Sequence, residues 1–223
     1  MQERASRTRV QILRAAAELF EAKGYAGARL DEIVARPKMS KGALYFHFSS
    51  KEALATAILD EYRELWPSLI NCMRAEFPRA MPLLFALSGE LAGRFRADAI
   101  VRAGIRLTIE RSLVSPSVRS LFQHWADEIG ELLREARTQG DLAPGVDVEA
   151  VAGFLVAAFT GCQQVFAAMG DREEPLRCVR TMWASLLPGL IEPGRLAEMR
   201  RLLDEVTDAG AAPEVMALYT ARS

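Results

Sequence analysis

The stretch LDEIVARPKMSKGALYFHFSSKEAL, residues 30–54, decides how this 223-residue chain is read. Leu30, Ile33 and Val34 recur at helical steps, giving a short helix over 30–36. Pro37 ends it, because the residue before a proline is disfavoured in helical geometry. Ser40 is placed to cap a second short helix over 41–47, and Ser49 and Ser50 to cap a longer one. That longer helix starts near Lys51 and passes through Leu54, Ile58, Tyr62 and Leu65. A helix, a tight turn and a second helix, braced by a third, is the geometry that lays a recognition helix into the major groove of DNA. The brace lies upstream over 7–23, where Ile12, Ala16, Leu19 and Phe20 recur at three- and four-residue steps and Gly24 supplies the stop. On the recognition helix, Ser40, Lys41, Gly42, Tyr45 and His47 are small, basic or hydrogen-bonding. Leu44, Phe46 and Phe48 are expected to pack back on the first helix. Gly42 costs about 1 kcal/mol of helix stability relative to alanine, but its lack of a side chain lets the backbone approach DNA closely.

Charge supports the same reading. The net charge is −1, which by itself does not point to nucleic acid. Residues 1–51, however, hold ten Lys/Arg against five acids, +5, so the remainder carries −6. A basic head on an acidic body is expected when only the head approaches phosphates.

Helical periodicity continues through the body, at roughly 79–96, 98–113, 116–139, 147–169, 173–188 and 193–208, with Gly and Pro at the breaks. The fold class is therefore all-α, with no alternating run long enough for a strand. Half of the residues are hydrophobic, enough for a sizeable core. The apolar stretches are expected to be too interrupted by polar groups to cross a bilayer, so no membrane partner is expected. The segment VDVEAVAGFLVAAFTGCQQVFAAM is apolar on nearly all sides and is read as buried all round, partly against a second subunit. Cys72, Cys162 and Cys178 are odd in number and widely spaced. They suit a reducing cytoplasm, argue against a disulfide framework or a zinc site, and read as small buried hydrophobes. No nucleophile–base arrangement, phosphate loop or metal-ligand cluster is visible, so neither an enzyme nor a metal or cofactor site is expected.

The run SKGALYFHFSSKEAL, with FEAKGY upstream and DEIVA between, closely resembles the tetracycline-repressor (TetR) family of bacterial regulators over residues 7–60. The resemblance implies a DNA-binding domain over 1–50 and a ligand-binding and dimerisation domain over 51–208. A tail over 209–223 is small-residue rich and expected to fray. It further implies a homodimer formed through the helices near 147–169 and 173–188. Carried over by residue, Lys41, Gly42 and Ala43 are base-reading or groove-approaching positions, and Tyr45, His47 and Lys51 are phosphate clamps. Arg4 and Arg7 are placed to reach the adjacent minor groove. Two departures from the family pattern stand out. Pro37-Lys38 replaces the usual Ala-Gly of the turn. Ala28-Arg29 replaces the usual capping threonine, a loss of about 1 kcal/mol, with Arg29 free to add a charge-assisted phosphate contact.

Beyond the head, VRAGIRLTIE, the Trp125 inside FQHWADEIGELLREAR, and DVEAVAGFLVAAFTG look similar to the γ-butyrolactone autoregulator receptors, repressors that control antibiotic production in actinomycetes. A lactone signal needs a mostly apolar cavity with one or two donors. Trp125 offers an indole face and an N–H. Thr160, Gln163 and Gln164 interrupt the most apolar helix, so their polar atoms need partners inside. Leu84, Leu87, Ile105, Val156, Phe159 and Trp183 are the expected walls. A related repressor sensing a drug or another metabolite, an enzyme with an attached DNA reader, and an architectural DNA protein without a ligand are the alternatives.

Overall fold

The helical periodicity is realised along the chain. The computed structural model describes residues 2–35, 40–112, 116–170 and 174–208, with side chains described for 5–35, 40–111, 121–170 and 175–206. The Pro37-Lys38 turn, the Arg4 side chain and the 209–223 tail lie outside the described residues. Among the described residues, ten α-helices run in the order α1 (Gln2–Gly27), α2 (Leu30–Ala35), α3 (Lys41–His47), α4 (Lys51–Met73), α5 (Ala80–Ala97), α6 (Ala99–Ser112), α7 (Pro116–Thr138), α8 (Val148–Met169), α9 (Glu174–Leu190) and α10 (Leu196–Asp208). A 3-10 turn, Pro193–Arg195, leads into α10. Among the described residues there is no strand, only an isolated bridge between Leu142 and Ile191.

Packing divides the chain differently from a boundary at residue 50. Among the described residues, one compact unit comprises residues 2–65 with 98–121, and the other comprises residues 66–97 with 122–208. The first half of α4, all of α6 and the start of α7 thus belong with the helix-turn-helix. Sequence order could not show this, because α6 joins the head through side-chain contacts made 80 or so residues away along the chain.

In the first unit, Ile12, Leu13, Ala16, Leu19 and Phe20 of α1 are buried together with Ile33, Leu44, Leu54 and Ile58. These are the positions that helical spacing selects. α1 packs along α6. Gly24 has φ 71°, ψ 175°, so the helical backbone breaks there before a last turn to Gly27. A β-carbon on Gly24 would lie 2.5 Å from Glu110 Oε1. The glycine of VRAGIRL, Gly104, is needed for a second close approach: a β-carbon there would meet the Tyr62 ring at 2.5 Å. Burial pushes the Tyr62 hydroxyl well above the ordinary tyrosine range.

In the second unit, α5 is buried on almost every side and packs against α9 and α10. The Trp183 indole meets Phe85 edge-on at 5.0 Å and donates its N–H to Ser88 Oγ at 3.2 Å. Asp141, fully buried, accepts from Arg79 at 2.5 Å and Arg195 at 3.0 Å, tying the end of α7 to the starts of α5 and α10. A second buried pair, Glu90 and Arg94, closes at 2.7 Å along α5. Asp147 caps α8 by accepting from Ala150 N at 3.0 Å, and Gly170 ends it in the left-handed region.

Three expectations are corrected here. Helix α8 is not buried all round: Phe154 (53%), Val165 (54%) and Met169 (71%) are exposed, while Val148, Ala152, Leu155 and Gln163 are buried. By length and composition α8, 22 residues, is also long and apolar enough to cross a membrane; Thr160, Gln163 and Gln164 do not lower its hydropathy sufficiently to prevent that. Finally, Cys162 and Cys178 are not isolated hydrophobes. They form a disulfide, Cα–Cα 6.5 Å, while Cys72 is exposed and free. Consecutive packed helices bring the two together, which cysteine count and linear spacing cannot reveal.

Candidate nucleic-acid interface

Helix α3 is short and firmly started. Ser40 sits in extended geometry at its N-cap and its hydroxyl accepts from Ala43 N at 3.1 Å, satisfying a donor the helix leaves orphaned. Phe48 closes the other end, its N–H donating to Leu44 O at 2.8 Å. Leu44 and Phe48 are buried, as expected. Phe46 is not. It is 80% exposed and lies edge-on to His47 at 5.0 Å. In a seven-residue helix, positions 41, 42, 45 and 46 share one face while 44 points inward. The structure therefore gathers Lys41, Gly42, Tyr45 (55% exposed) and Phe46 on one exposed face, with Ala43 and His47 half-buried at its edge. A β-carbon on Gly42 would meet nothing closer than Ser40 Oγ at 3.8 Å, so nothing within the chain requires glycine there. Phe46 was readable only as one of three aromatics in a mixed run, and nothing in the spacing tells which one stays outside.

Lys51 does not present its charge to solvent as a phosphate clamp. Its ammonium donates to the carbonyls of Tyr25 (2.8 Å) and Ala28 (3.0 Å) and lies 4.6 Å from the Tyr25 ring centroid. It caps carbonyls at the last turn of α1 and just past it, as cations do at helix C-termini. Tyr25 is the centre of a wider network. Its hydroxyl donates to Glu52 Oε2 at 2.7 Å and its N–H to Glu110 Oε2 at 2.8 Å. Arg111 pairs with the other Glu52 oxygen. Arg106 bridges Glu110 (2.7 Å) and the Glu21 carbonyl (2.6 Å), and Arg102 pairs with the Glu21 carboxylate at 2.8 Å. The Tyr25 hydroxyl, followed by the Arg111 guanidinium, holds the Glu52 carboxyl below its ordinary range. Burial, then Glu52, pushes the Tyr25 hydroxyl up. This network fixes the end of α1, and with it the brace behind the recognition helix.

Arg7 is exposed on α1. Arg29 is exposed too, its guanidinium 3.3 Å from Asp31, while its carbonyl accepts from Glu32 N and Ile33 N at the start of α2.

Residues 12–58 match the bacterial regulatory proteins of the tetR family, and residues 83–203 match a tetracyclin repressor-like C-terminal domain. The chain belongs to the TetR family. Among the relatives of this TetR-family chain is the A-factor receptor protein of Streptomyces griseus, 35% identical over 202 residues, covering 89% of this chain and 69% of the relative. A crystal structure of a γ-butyrolactone receptor superposes with TM-score 0.79 at 30% identity, covering 92% of this chain and 98% of the other. So does CprB of Streptomyces coelicolor in complex with its operator, with TM-score 0.79 at 31% identity and the same coverages. This TetR-family regulator is therefore homologous to γ-butyrolactone receptors.

The sensor candidates fall out less evenly. Ile105 is buried in the first unit; the others lie in the second. Leu84, Leu87 and Trp183 are core, and the Trp183 N–H is already satisfied by Ser88, so that indole offers no donor to a ligand. Gln163 is buried, and Trp125, Val156, Phe159, Thr160 and Gln164 are half-buried. Trp125 stands edge-on to Phe122 at 5.7 Å. A depression of about 380 Å3 is lined by Arg74, Glu128, Glu131 and neighbouring side chains of α4 and α7, and by none of the sensor candidates.

Proposed function

We propose that this TetR-family chain is a transcriptional repressor that binds operator DNA as a homodimer and is released by a small apolar signal of the γ-butyrolactone class, working in the cytoplasm and catalysing no reaction. The observation that carries the DNA half is the exposed face of α3, where Lys41, Gly42, Tyr45 and Phe46 stand together on a capped helix. Gly42 lets the backbone approach base edges, Lys41 and Tyr45 supply donors, and Phe46 supplies an apolar edge of the kind that meets a thymine methyl. Ser40, Ala43, His47, Arg29 and Arg7 complete the reading face, and Arg4 belongs with Arg7 in the minor groove. Lys51 holds the scaffold instead.

The dimer contact falls on α8 and α9. Ala150, Phe154, Ala157, Gly161, Val165 and Ala168 recur at three- and four-residue steps along α8, and all are exposed. Small residues between larger ones let a second helix approach closely. A stripe of this kind on a chain whose relatives bind operators is better matched by a second copy than by lipid. The ligand half rests on homology with the lactone receptors and on Trp125, Phe159, Thr160, Gln163 and Gln164 as mixed apolar and hydrogen-bonding groups suited to a lactone. A ligand-driven displacement that changes the spacing of the two recognition helices breaks register with half-sites one helical turn apart.

DNase I footprinting on the DNA upstream of the chain's own gene tests this reading. Protection of a two-fold symmetric site, erased by one member of a panel of γ-butyrolactones, butenolides and furans, is the expected result. Protection that only unrelated drugs erase would replace the ligand class. No protected site would remove the repressor reading.

A further inference from the structure

We propose that Cys162 and Cys178 form a reversible redox site, a dithiol that peroxide closes into a disulfide tying α8 to α9. The two sulfurs are bonded and the Cα atoms stand 6.5 Å apart, within the span that a disulfide bridges without moving the backbone. Both residues are half-buried, so a small oxidant can reach them. They lie 16 residues apart, on consecutive helices that pack against each other.

Cellular context decides between a permanent staple and a switch. This step rests on the reading above that the chain works on DNA in the cytoplasm, where glutathione and thioredoxin keep thiols reduced and protein disulfides are transient. A pair pre-positioned for bonding in such a compartment spends its resting time as two thiols. The chemistry balances with a hydroperoxide as oxidant. The thiolate of one cysteine attacks an oxygen of hydrogen peroxide, an S–O bond forms, the O–O bond breaks, and the departing hydroxide takes up a proton as water. The second sulfur then attacks the sulfenic sulfur; the S–S bond forms, the S–O bond breaks, and the hydroxyl leaves with the thiol proton as a second water. Two thiols are oxidised to one disulfide and one peroxide is reduced to two waters, and a cellular thiol reverses the change by exchange.

The placement makes the site consequential. Cys162 lies in the same turn of α8 as Thr160, Gln163 and Gln164, and on the helix that carries the Phe154–Val165 stripe. Closing the bond restricts how α8 and α9 can shift against each other, so the regulator acquires an oxidative input at the helix pair assigned to dimerisation and sensing. Cys72 is exposed and has no thiol partner in the described structure, so it is replaced by serine in the test to keep chains from cross-linking.

The full-length C72S protein is equilibrated in glutathione buffers at cytosolic poise, treated with stoichiometric hydrogen peroxide, alkylated and mapped by mass spectrometry, with thermal unfolding followed in parallel. Both thiols are expected to alkylate before peroxide. After it, a Cys162–Cys178 cross-linked peptide appears, the unfolding midpoint rises by roughly 6–12 °C, and dithiothreitol reverses both. The single variants C162S and C178S lose the midpoint shift, while their reduced-state midpoints stay near that of the parent. A pair that remains oxidised at cytosolic poise would be a permanent staple and would overturn the switch. Thiols that still alkylate after peroxide would overturn the pairing itself. Neither readout involves DNA, so failure here is distinguishable from failure of the repressor reading.

Discussion

Lys41 and Lys51 are ten positions apart and both basic, the first expected to read bases and the second to clamp a phosphate; the structure gives them opposite employment. Lys41 is exposed on α3, whereas the Lys51 ammonium is spent on the Tyr25 and Ala28 carbonyls. The distinction is measurable through salt. Each lysine that neutralises a phosphate contributes about 0.9 to the slope of log K against log salt. Lys41→Ala is expected to weaken operator binding by about 1–3 kcal/mol, most at the base pair it reads, and to leave thermal stability unchanged. Lys51→Met is expected to leave the slope unchanged and to cost about 1.5–3 kcal/mol of stability, as charged hydrogen bonds do. Gly42→Ala separates the same two quantities from the other side. Open space around Gly42 predicts about 0.5–1 kcal/mol of added stability together with weaker operator binding, read by denaturant melts and DNA titration on one sample. Glu52 supplies a pH signature. Its folded value is held below the ordinary 4.5, so its contribution to stability is full above that value and is lost as pH falls through the folded one. Unfolding midpoints of wild type and Glu52→Gln are expected to converge as pH drops below 4.5. A constant gap across that range would contradict the network.

Among the elements, α3 and α8 show what a sequence can and cannot tell. The bounds of α3 follow from Ser40 and from the apolar spacing, since cap and core position are local properties. The identity of its outward aromatic was not local: Phe46 faces out because Leu44 and Phe48 already fill the contact with the rest of the head. Helix α8 was legible as an apolar helix and misjudged in its surroundings, since composition says that a surface will be covered but not by what. Phe154→Arg on the exposed stripe is expected to convert a dimer to monomers in sedimentation, with little loss of monomer helicity, because the position is half open to solvent in the single chain. Unchanged sedimentation would move the dimer contact elsewhere. Gly104 belongs here too. The Tyr62 ring occupies the place of its missing side chain, and Gly104→Ala is expected to cost about 1–3 kcal/mol by overpacking α6 against α4.

For the whole molecule, the fold class and every helix could be read from periodicity, because a helix of a few turns records its buried face at fixed steps. The division into units could not. Helix α6 joins the head through Arg102, Arg106, Glu110 and Arg111, exposed-looking charges whose partners Glu21, Tyr25 and Glu52 lie far away in sequence. The exposed face of α3 was mostly legible because its residues sit in one short run. The sensor residues were not, since an apolar side chain that lines a cavity and one that fills a core share the same pattern; Trp183 proved to be core for that reason. The basic head and acidic body predict binding that weakens steeply with salt. Signal release predicts that operator and ligand weaken each other by one common factor.

The most direct test is a fluorescence anisotropy titration of the protein on its footprinted operator, with and without the γ-butyrolactone panel. Tight, salt-sensitive binding whose Kd rises at least tenfold with one lactone of the panel is the expected result. Binding that no lactone shifts at any concentration below its solubility limit would contradict it.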